Sequence, residues 1–236
     1  MNHESKADPL TIMNRILAEF DELQEAPAES PPKASAAVRP ANALSSRHGW
    51  PERVIRAQGE PEGGEWMAAF ALAAPVIERG GIAVFHGLRG TGKTRMAGEI
   101  AQKVPFPYDY KRHGTPIGTP VEKARTAAYR TAMSFFTEIR ASYAKNSETT
   151  EKQVVEALEA HGLLVIDELQ ERGATAFEDR LLTHLIDKRY GAMLPTILIS
   201  NQTKAQLFES ISPSIADRIA ETGIRIEFNW KSYRRP

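Results

Sequence analysis

The sequence contains no cysteine and carries no net charge, with 30 basic and 30 acidic residues among its 236. The absence of cysteine excludes a disulfide framework, a thiolate metal site and a cysteine nucleophile. The balanced charge excludes a polybasic, histone-like mode of nucleic-acid binding, but it does not exclude binding through a local basic patch. No apolar run approaches the roughly 20 residues that cross a bilayer, and the amino terminus lacks the apolar core of a secretory signal. We therefore expect a soluble cytoplasmic protein with one domain plus an appendage.

The amino-terminal segment is predicted to be an amphipathic helix followed by a linker. Its apolar residues follow the i, i+3, i+4, i+7 spacing of one helix face, namely Met13, Ile16, Leu17 and Phe20. A lone helix of this length is marginal in water, so its apolar face must dock on its own domain or on a partner. We favour a partner, because the Pro- and Ala-rich linker frees the helix. The predicted organisation is a helical partner-binding segment at 1–25, a linker at 26–48 and a globular domain at 49–236.

The globular part alternates buried apolar strands with helices, which is typical of a parallel α/β sheet covered on both faces. The predicted strands are 82–86, 127–131, 163–167, 196–200 and 224–228. The predicted helices are 66–78, 94–103, 134–144, 150–161, 177–190 and 212–221. Between the second helix and the second strand, residues 104–120 are rich in proline and predict an irregular excursion.

A glycine-rich turn between the first strand and its helix reads GLRGTGKT and fits the pattern G-x-x-x-x-G-K-[ST]. Its glycines let backbone N–H groups converge on a phosphate, and the following helix presents its positive end to the anion. Lys93 is expected to reach the β and γ phosphates, and Thr94 to bind Mg²⁺ through its hydroxyl. The predicted nucleotide-binding residues of this loop are Gly87, Gly90, Thr91, Gly92, Lys93 and Thr94.

Two adjacent acids end the wholly apolar strand LLVIDE. We expect Asp167 to hold the metal, directly or through water, and Glu168 to polarise a water toward the γ-phosphate as a general base. A plain acidic strand end at a turn is the alternative, and the phosphate loop upstream favours the catalytic interpretation. The pair also argues against a nucleotide kinase, which needs no water-activating glutamate.

Two further candidates follow the acidic pair. Asn201 ends the strand ILISN, where it is expected to orient the lytic water or to touch the γ-phosphate; an Asx turn is the alternative. Arg218 lies on the next predicted helix and is a candidate arginine finger for a neighbouring subunit, whereas an ion pair with Asp217 or Glu221 is the alternative.

The order of GLRGTGKT, LLVIDE, ILISN and ADRI resembles the AAA+ ATPases. The passage NSET with Gln153, the stretch from Arg189-Tyr190 to Pro195-Thr196 and the ending FNWKSYR narrow the resemblance to DnaC-type helicase loaders, over about residues 50 to 236. The resemblance implies a P-loop three-layer sandwich that uses ATP and Mg²⁺, and a slow, partner- and DNA-stimulated ATPase that self-associates through this domain. It also implies loading of a DnaB-type replicative helicase onto single-stranded DNA, with the amino-terminal segment contacting the helicase.

The resemblance further matches Arg140 and Tyr143 to a basic and aromatic pair associated in the family with single-stranded DNA, with Lys145 beyond them. A partly buried core contact beside Phe136 and Ile139 is the alternative for Tyr143.

The sequence departs from the family in two places. Ser212-Pro213-Ser214 stands where many members have Gly-Glu-Arg, and we expect no carboxyl-terminal helical lid. Two other functions stay open: an IstB-type transposase helper, which would bind duplex DNA, and a nucleotide-dependent adaptor that does not hydrolyse ATP.

Overall fold

A computed structural model describes residues 44–57, 63–106 and 126–233. The predicted partner-binding segment at 1–25, most of the linker and most of the 104–120 excursion lie outside the described residues. At the start of the first described range, Leu44 is buried within the core of the domain. None of the helices in the described ranges is both long enough and apolar enough to cross a membrane.

Five parallel strands form one sheet in the order β2-β3-β4-β1-β5. The strands are β1 (Ile82–Gly87), β2 (Ala127–Thr131), β3 (Leu163–Asp167), β4 (Thr196–Ile199) and β5 (Ile224–Phe228). The helices are α1 (Glu52–Ile55), α2 (Gly64–Glu78), α3 (Lys93–Lys103), α4 (Ala132–Ala141), α5 (Glu151–Glu159), α6 (Ala176–Gly191), α7 (Lys204–Ser210) and α8 (Pro213–Thr222). Single 3-10 turns lie at Ser46–His48 and Leu169–Glu171.

The sheet is the middle layer of three, because its side chains alternate between two helical layers. One face buries Phe85, Val165 and Ile197 in a cluster with α2 and α3. The alternate positions, such as Val84 and Leu198, are buried outside that cluster, and α8 contacts β1 as well as α6. The predicted parallel α/β sandwich is therefore confirmed.

The five predicted strands are all present, and their bounds differ by one residue at most. The helix predicted at 134–144 begins earlier and ends earlier, at Ala132 and Ala141. It begins early because Thr131, the last residue of β2, caps it by accepting a hydrogen bond from the Ser134 amide at 3.0 Å. Tyr143, expected on this helix, lies in the turn after it.

Two short helices were not predicted. Helix α1 is anchored by the buried Val54, which contacts Gly98 of α3. A Cβ on Gly98 would lie only 2.5 Å from Val54 Cγ1, so α1 and α3 pack closely there. Trp50, just before α1, donates an indole hydrogen bond of 2.7 Å to the Ala127 carbonyl of β2. Helix α7 begins at a capping box formed by Thr203 and Gln206.

Arg189 is fully buried and links the chain segments that precede β3 and β4. Its guanidinium donates hydrogen bonds to the Thr196 hydroxyl at 3.0 Å and to the carbonyls of His161 and Pro195 at 2.7 Å each. It also bonds the Leu158 and Glu159 carbonyls at the end of α5. Burial lowers the pKa of this guanidinium to about 9, although backbone carbonyls still satisfy its donors.

Candidate nucleotide-binding site

The loop between β1 and α3 adopts a backbone that only glycine tolerates well. Gly87, Gly90 and Gly92 all have positive φ angles, at 110°, 81° and 90°. A Cβ on Gly87 would lie 2.7 Å from the Phe228 carbonyl oxygen of β5. Within the loop, the Thr91 hydroxyl donates to the Leu88 carbonyl at 2.8 Å. The chain is thereby folded into a compact turn that leads directly into α3.

Helix α3 presents an uncapped amino terminus to this loop. Its N-cap residue is Gly92, which supplies no side-chain hydrogen bond. Lys93, the first residue of the helix, is buried, and its Nζ donates to the carbonyls of Gly87 at 2.9 Å and Leu88 at 2.6 Å. Uncapped helix amides beside a lysine ammonium form an arrangement suited to a phosphate group.

Asp167 faces the loop from the end of β3. The Thr94 hydroxyl donates to its Oδ2 at 2.7 Å, and the Glu168 amide donates to its Oδ1 at 2.7 Å. The structure therefore brings together the hydroxyl and the carboxylate that the sequence analysis assigned to a metal.

This pair of oxygen ligands fits Mg²⁺, which prefers hard oxygen ligands and usually takes its remaining ligands from water and substrate phosphates. In the described ranges no group of three or more His, Cys, Asp or Glu residues could hold a metal ion by itself. Thr94 and Asp167 thus fit a metal that reaches the site with a nucleotide, rather than one held in an all-protein cage.

Tyr129 is a member of the site that sequence reasoning missed. Its hydroxyl donates to Asp167 Oδ2 at 2.9 Å, and the ring is buried against Trp50, with the ring centroids 5.4 Å apart. Burial, followed by the charge and hydrogen bond of Asp167, raises the pKa of this hydroxyl, so it stays a proton donor. The β2–β3 register pairs Tyr129 with Val165, two residues before Asp167, and this places Tyr129 on the same face of the sheet as the carboxylate.

Glu168 and Asn201 line the same cleft as the loop, Lys93 and Asp167. Glu168 has a left-handed backbone with φ of 57°, so the chain turns sharply after β3 and the exposed Glu168 side chain stays at the cleft. The backbone N–H of Asn201 donates to Gln170 Oε1 at 3.0 Å. The Asn201 side chain makes no hydrogen bond to another residue of the described ranges. The Asx turn that was the alternative for Asn201 is not formed; the Ser200 hydroxyl instead accepts from the Gln202 backbone N–H at 3.2 Å.

The cleft has a volume of about 580 Å³, within the range of small-molecule sites. Arg53 and Val54 of α1, Ala57 just after that helix and Met133 of α4 also line the cleft. Arg53 makes no ion pair with any residue that the structure describes, and no motif pointed to it. Its position depends on how α1 packs against α3, which the sequence alone did not reveal.

Arg218 lies outside this cleft. Its Nε pairs with Asp187 Oδ1 at 2.7 Å, its Nη1 donates to the Ser214 hydroxyl at 2.6 Å, and its guanidinium lies 5.2 Å from the Tyr190 ring centroid. The expected alternative partners, Asp217 and Glu221, were therefore wrong; the ion pair is with a residue of α6. The arginine-finger role stays a prediction.

The predicted DNA-binding residues are accompanied by acids. Arg140 pairs with the buried carboxylate of Glu178 at 3.0 Å. Tyr143 is 58% exposed, and its hydroxyl donates to Glu151. The core-contact alternative for Tyr143 is thus wrong, whereas its role in binding DNA stays a prediction. Lys145 follows on the exposed surface.

The parallel sheet and the phosphate loop together define an α/β fold of the P-loop NTPase type. No family model matches the sequence. The chain is 24% identical over 173 residues to the replicative helicase loader DnaC of Escherichia coli K12, a match that covers 71% of this chain and 64% of that protein.

Solved structures share the fold. A crystal structure of the DnaC helicase loader matches 75% of this chain and 99% of its own, with 15% identity and a TM-score of 0.55. DnaA from Aquifex aeolicus with AMPPCP bound matches 75% of this chain and 50% of its own, with 18% identity and a TM-score of 0.53. The sequence similarity supports a relationship with the DnaC helicase loaders.

Proposed function

We propose that this protein binds ATP with Mg²⁺ in the cleft between the phosphate loop and the end of β3, and hydrolyses it slowly. The observation that carries the proposal is the 2.7 Å hydrogen bond between Thr94 and Asp167. It joins the first turn of α3 to the carboxyl edge of the sheet, where ligands of open α/β sheets bind. Lys93 precedes Thr94 in the chain, and its ammonium would donate to phosphate oxygens in place of the loop carbonyls.

Each residue of the site then has a role in phosphoryl transfer. The loop amides and Lys93 hold the β and γ phosphates, and Thr94 and Asp167 would hold Mg²⁺, which would supply positive charge beside the phosphates. Glu168 accepts a proton from the attacking water, and Asn201 orients that water or the γ-phosphate. Arg218 of a neighbouring subunit supplies positive charge in the transition state, so hydrolysis requires self-association.

We further propose that ATP controls the loading of a DnaB-type replicative helicase onto single-stranded DNA. The similarity to DnaC supports this, and it extends over 64% of that relative. In this proposal residues 1–25 contact the helicase through their apolar face, while Arg140, Tyr143 and Lys145 contact DNA. An exposed aromatic ring can contribute about 1–3 kcal/mol per stacked base.

Co-purification with a replicative helicase tests the loading function. The full chain is expected to retain the helicase in the presence of ATP, whereas a chain lacking residues 1–42 is expected to lose the helicase and keep its ATP affinity. Trp230 offers a readout of nucleotide binding, because its indole donates to the Thr91 carbonyl of the phosphate loop at 3.0 Å. A truncated chain that still binds the helicase would overturn the role of the amino-terminal segment. Binding of the full chain to duplex DNA in preference to single-stranded DNA would overturn the loading function.

A further inference from the structure

Gln170 lies in the turn that follows the two acids of β3. The left-handed backbone of Glu168 directs the chain away from the strand, and the buried Leu169 anchors the 3-10 turn that comes next. The Glu171 amide closes this turn by donating to the Glu168 carbonyl at 2.9 Å. The turn brings the Gln170 side chain to the end of the neighbouring strand, β4.

The amide oxygen of Gln170 accepts a hydrogen bond from that strand end, donated by the Asn201 backbone N–H at 3.0 Å. The Ser200 hydroxyl also lies 3.1 Å from this oxygen, but it is closer to Gln202 Oε1, at 2.8 Å. Strand β3 ends at Asp167, so the pairing of β3 with β4 stops before Asn201 and offers the Asn201 N–H no backbone carbonyl. The Gln170 side chain takes the place of that missing acceptor, because a backbone N–H removed from water needs a partner.

The amide nitrogen of Gln170 makes a weaker contact than the amide oxygen does. Its Nε2 donates to Glu171 Oε1 at 3.3 Å, and the same oxygen accepts from Arg89 of the phosphate loop at 3.4 Å. The Arg89 and Glu171 side chains are 71% and 47% exposed, and an exposed ion pair contributes little to stability. The contact between Gln170 and β4 is therefore the part of this network that sets geometry.

We propose that Gln170 is a positioning residue that holds Asn201 in the cleft at the place required for hydrolysis. This inference rests on the proposed ATPase function. The Asn201 side chain makes no hydrogen bond to another described residue, so its position depends on its backbone, and Gln170 accepts the hydrogen bond of that backbone amide. A displacement of about 1 Å at such a group can lower a rate by about 100-fold.

Steady-state ATP hydrolysis in the presence of single-stranded DNA tests the catalytic part. Gln170→Leu is expected to lower kcat about tenfold or more, with KM changed less than about threefold. Gln170→Glu keeps an acceptor oxygen and is expected to restore most of the rate. The matched control is Gln153→Leu, because the Gln153 side chain also accepts a backbone hydrogen bond, from Thr150 at 2.8 Å, away from the cleft. An unchanged kcat in Gln170→Leu, an equal loss in Gln153→Leu, or no recovery in Gln170→Glu would each overturn the proposal.

Amide hydrogen exchange of the nucleotide-free protein tests the geometry without any activity. The Asn201 amide is expected to exchange about tenfold faster in Gln170→Leu than in the wild type or Gln170→Glu. Unchanged exchange in Gln170→Leu would show that Gln170 does not hold Asn201. A wild-type protein that fails to bind ATP refutes the proposed function, whereas this exchange result refutes only the role of Gln170.

Discussion

The hydroxyl of Tyr129 donates a 2.9 Å hydrogen bond to the carboxylate of Asp167, from the neighbouring edge strand of the sheet. The same Oδ2 atom accepts from Thr94, so a neutral donor and a second proposed metal ligand meet on one oxygen. Tyr129 thereby fixes the orientation of the carboxylate that we propose to hold Mg²⁺.

Tyr129→Phe is expected to raise the Mg²⁺ concentration needed for half-maximal ATP binding about tenfold, because supporting hydrogen bonds orient metal ligands. Titration of Mg²⁺ at fixed ATP measures this effect. Tyr143→Phe is the control, since it removes a hydroxyl that bonds Glu151 rather than Asp167. Identical Mg²⁺ titrations for the two variants would contradict the orienting role of Tyr129.

Lys93→Ala is expected to abolish measurable ATP binding, because it removes the ammonium that the loop carbonyls hold beside the helix terminus. Equilibrium binding of a fluorescent ATP analogue measures the loss. Lys103→Ala, at the other end of the same helix, is the control and is expected to bind normally. Retained affinity in Lys93→Ala would show that the phosphates lie elsewhere.

Arg218→Ala is expected to leave ATP affinity unchanged and to lower DNA-stimulated turnover about 1,000-fold, because the guanidinium acts on a neighbouring subunit's nucleotide. Loss of its partly exposed ion pair with Asp187 should cost only about 1 kcal/mol of stability. Mixing Arg218→Ala with Lys93→Ala protein is expected to recover some turnover, since each variant supplies what the other lacks. Normal turnover in Arg218→Ala alone would exclude the finger.

Arg189→Met is expected to lower the free energy of unfolding by roughly 3 kcal/mol or more, because it leaves several buried carbonyls without donors. Urea denaturation followed by circular dichroism measures the change. The control is Arg180→Met, on the same helix, where the guanidinium lies 5.8 Å from the Phe177 ring centroid. Equal stability of the two variants would refute a structural role for the buried guanidinium.

His161 is expected to make stability fall with acidification. Burial, together with the nearby His48, Arg189 and Arg130, lowers the pKa of His161 to about 4, and its Nδ1 lies 2.7 Å from the Thr126 hydroxyl. The unfolded chain takes up a proton near pH 6.5, whereas the folded state resists it until about pH 4. The stabilising contribution, about 3 kcal/mol, is therefore complete above pH 6.5 and is lost as the pH falls toward 4.

Urea denaturation at several pH values measures this dependence. His161→Gln is expected to flatten the stability profile between pH 4 and 6.5, since glutamine does not titrate. His184→Gln is the control, because the His184 side chain is exposed on α6. Profiles with the same slope in wild type and His161→Gln would assign the acid sensitivity to other groups.

Sequence reasoning succeeded where a short stretch determines its own structure. The apolar runs predicted all five strands, and the glycine pattern predicted the loop and the start of α3. Helix α7 was missed although Thr203 and Gln206 form a recognisable capping box. The extent of α4 was misjudged, because the capping contribution of Thr131 is hidden inside an apparent strand. Arg53 and Gln170 carried no signal, since neither belongs to a motif.

The sequence by itself determined the local chemistry of the site: a glycine turn, a lysine at a helix start and two acids at a strand end. Only the tertiary structure decided which distant side chains meet there. Tyr129 is 38 residues before Asp167, and Gln170 is 31 residues before Asn201. Such meetings depend on the order and register of parallel strands joined by helices, and backbone pairing sets these over distances that no local pattern encodes.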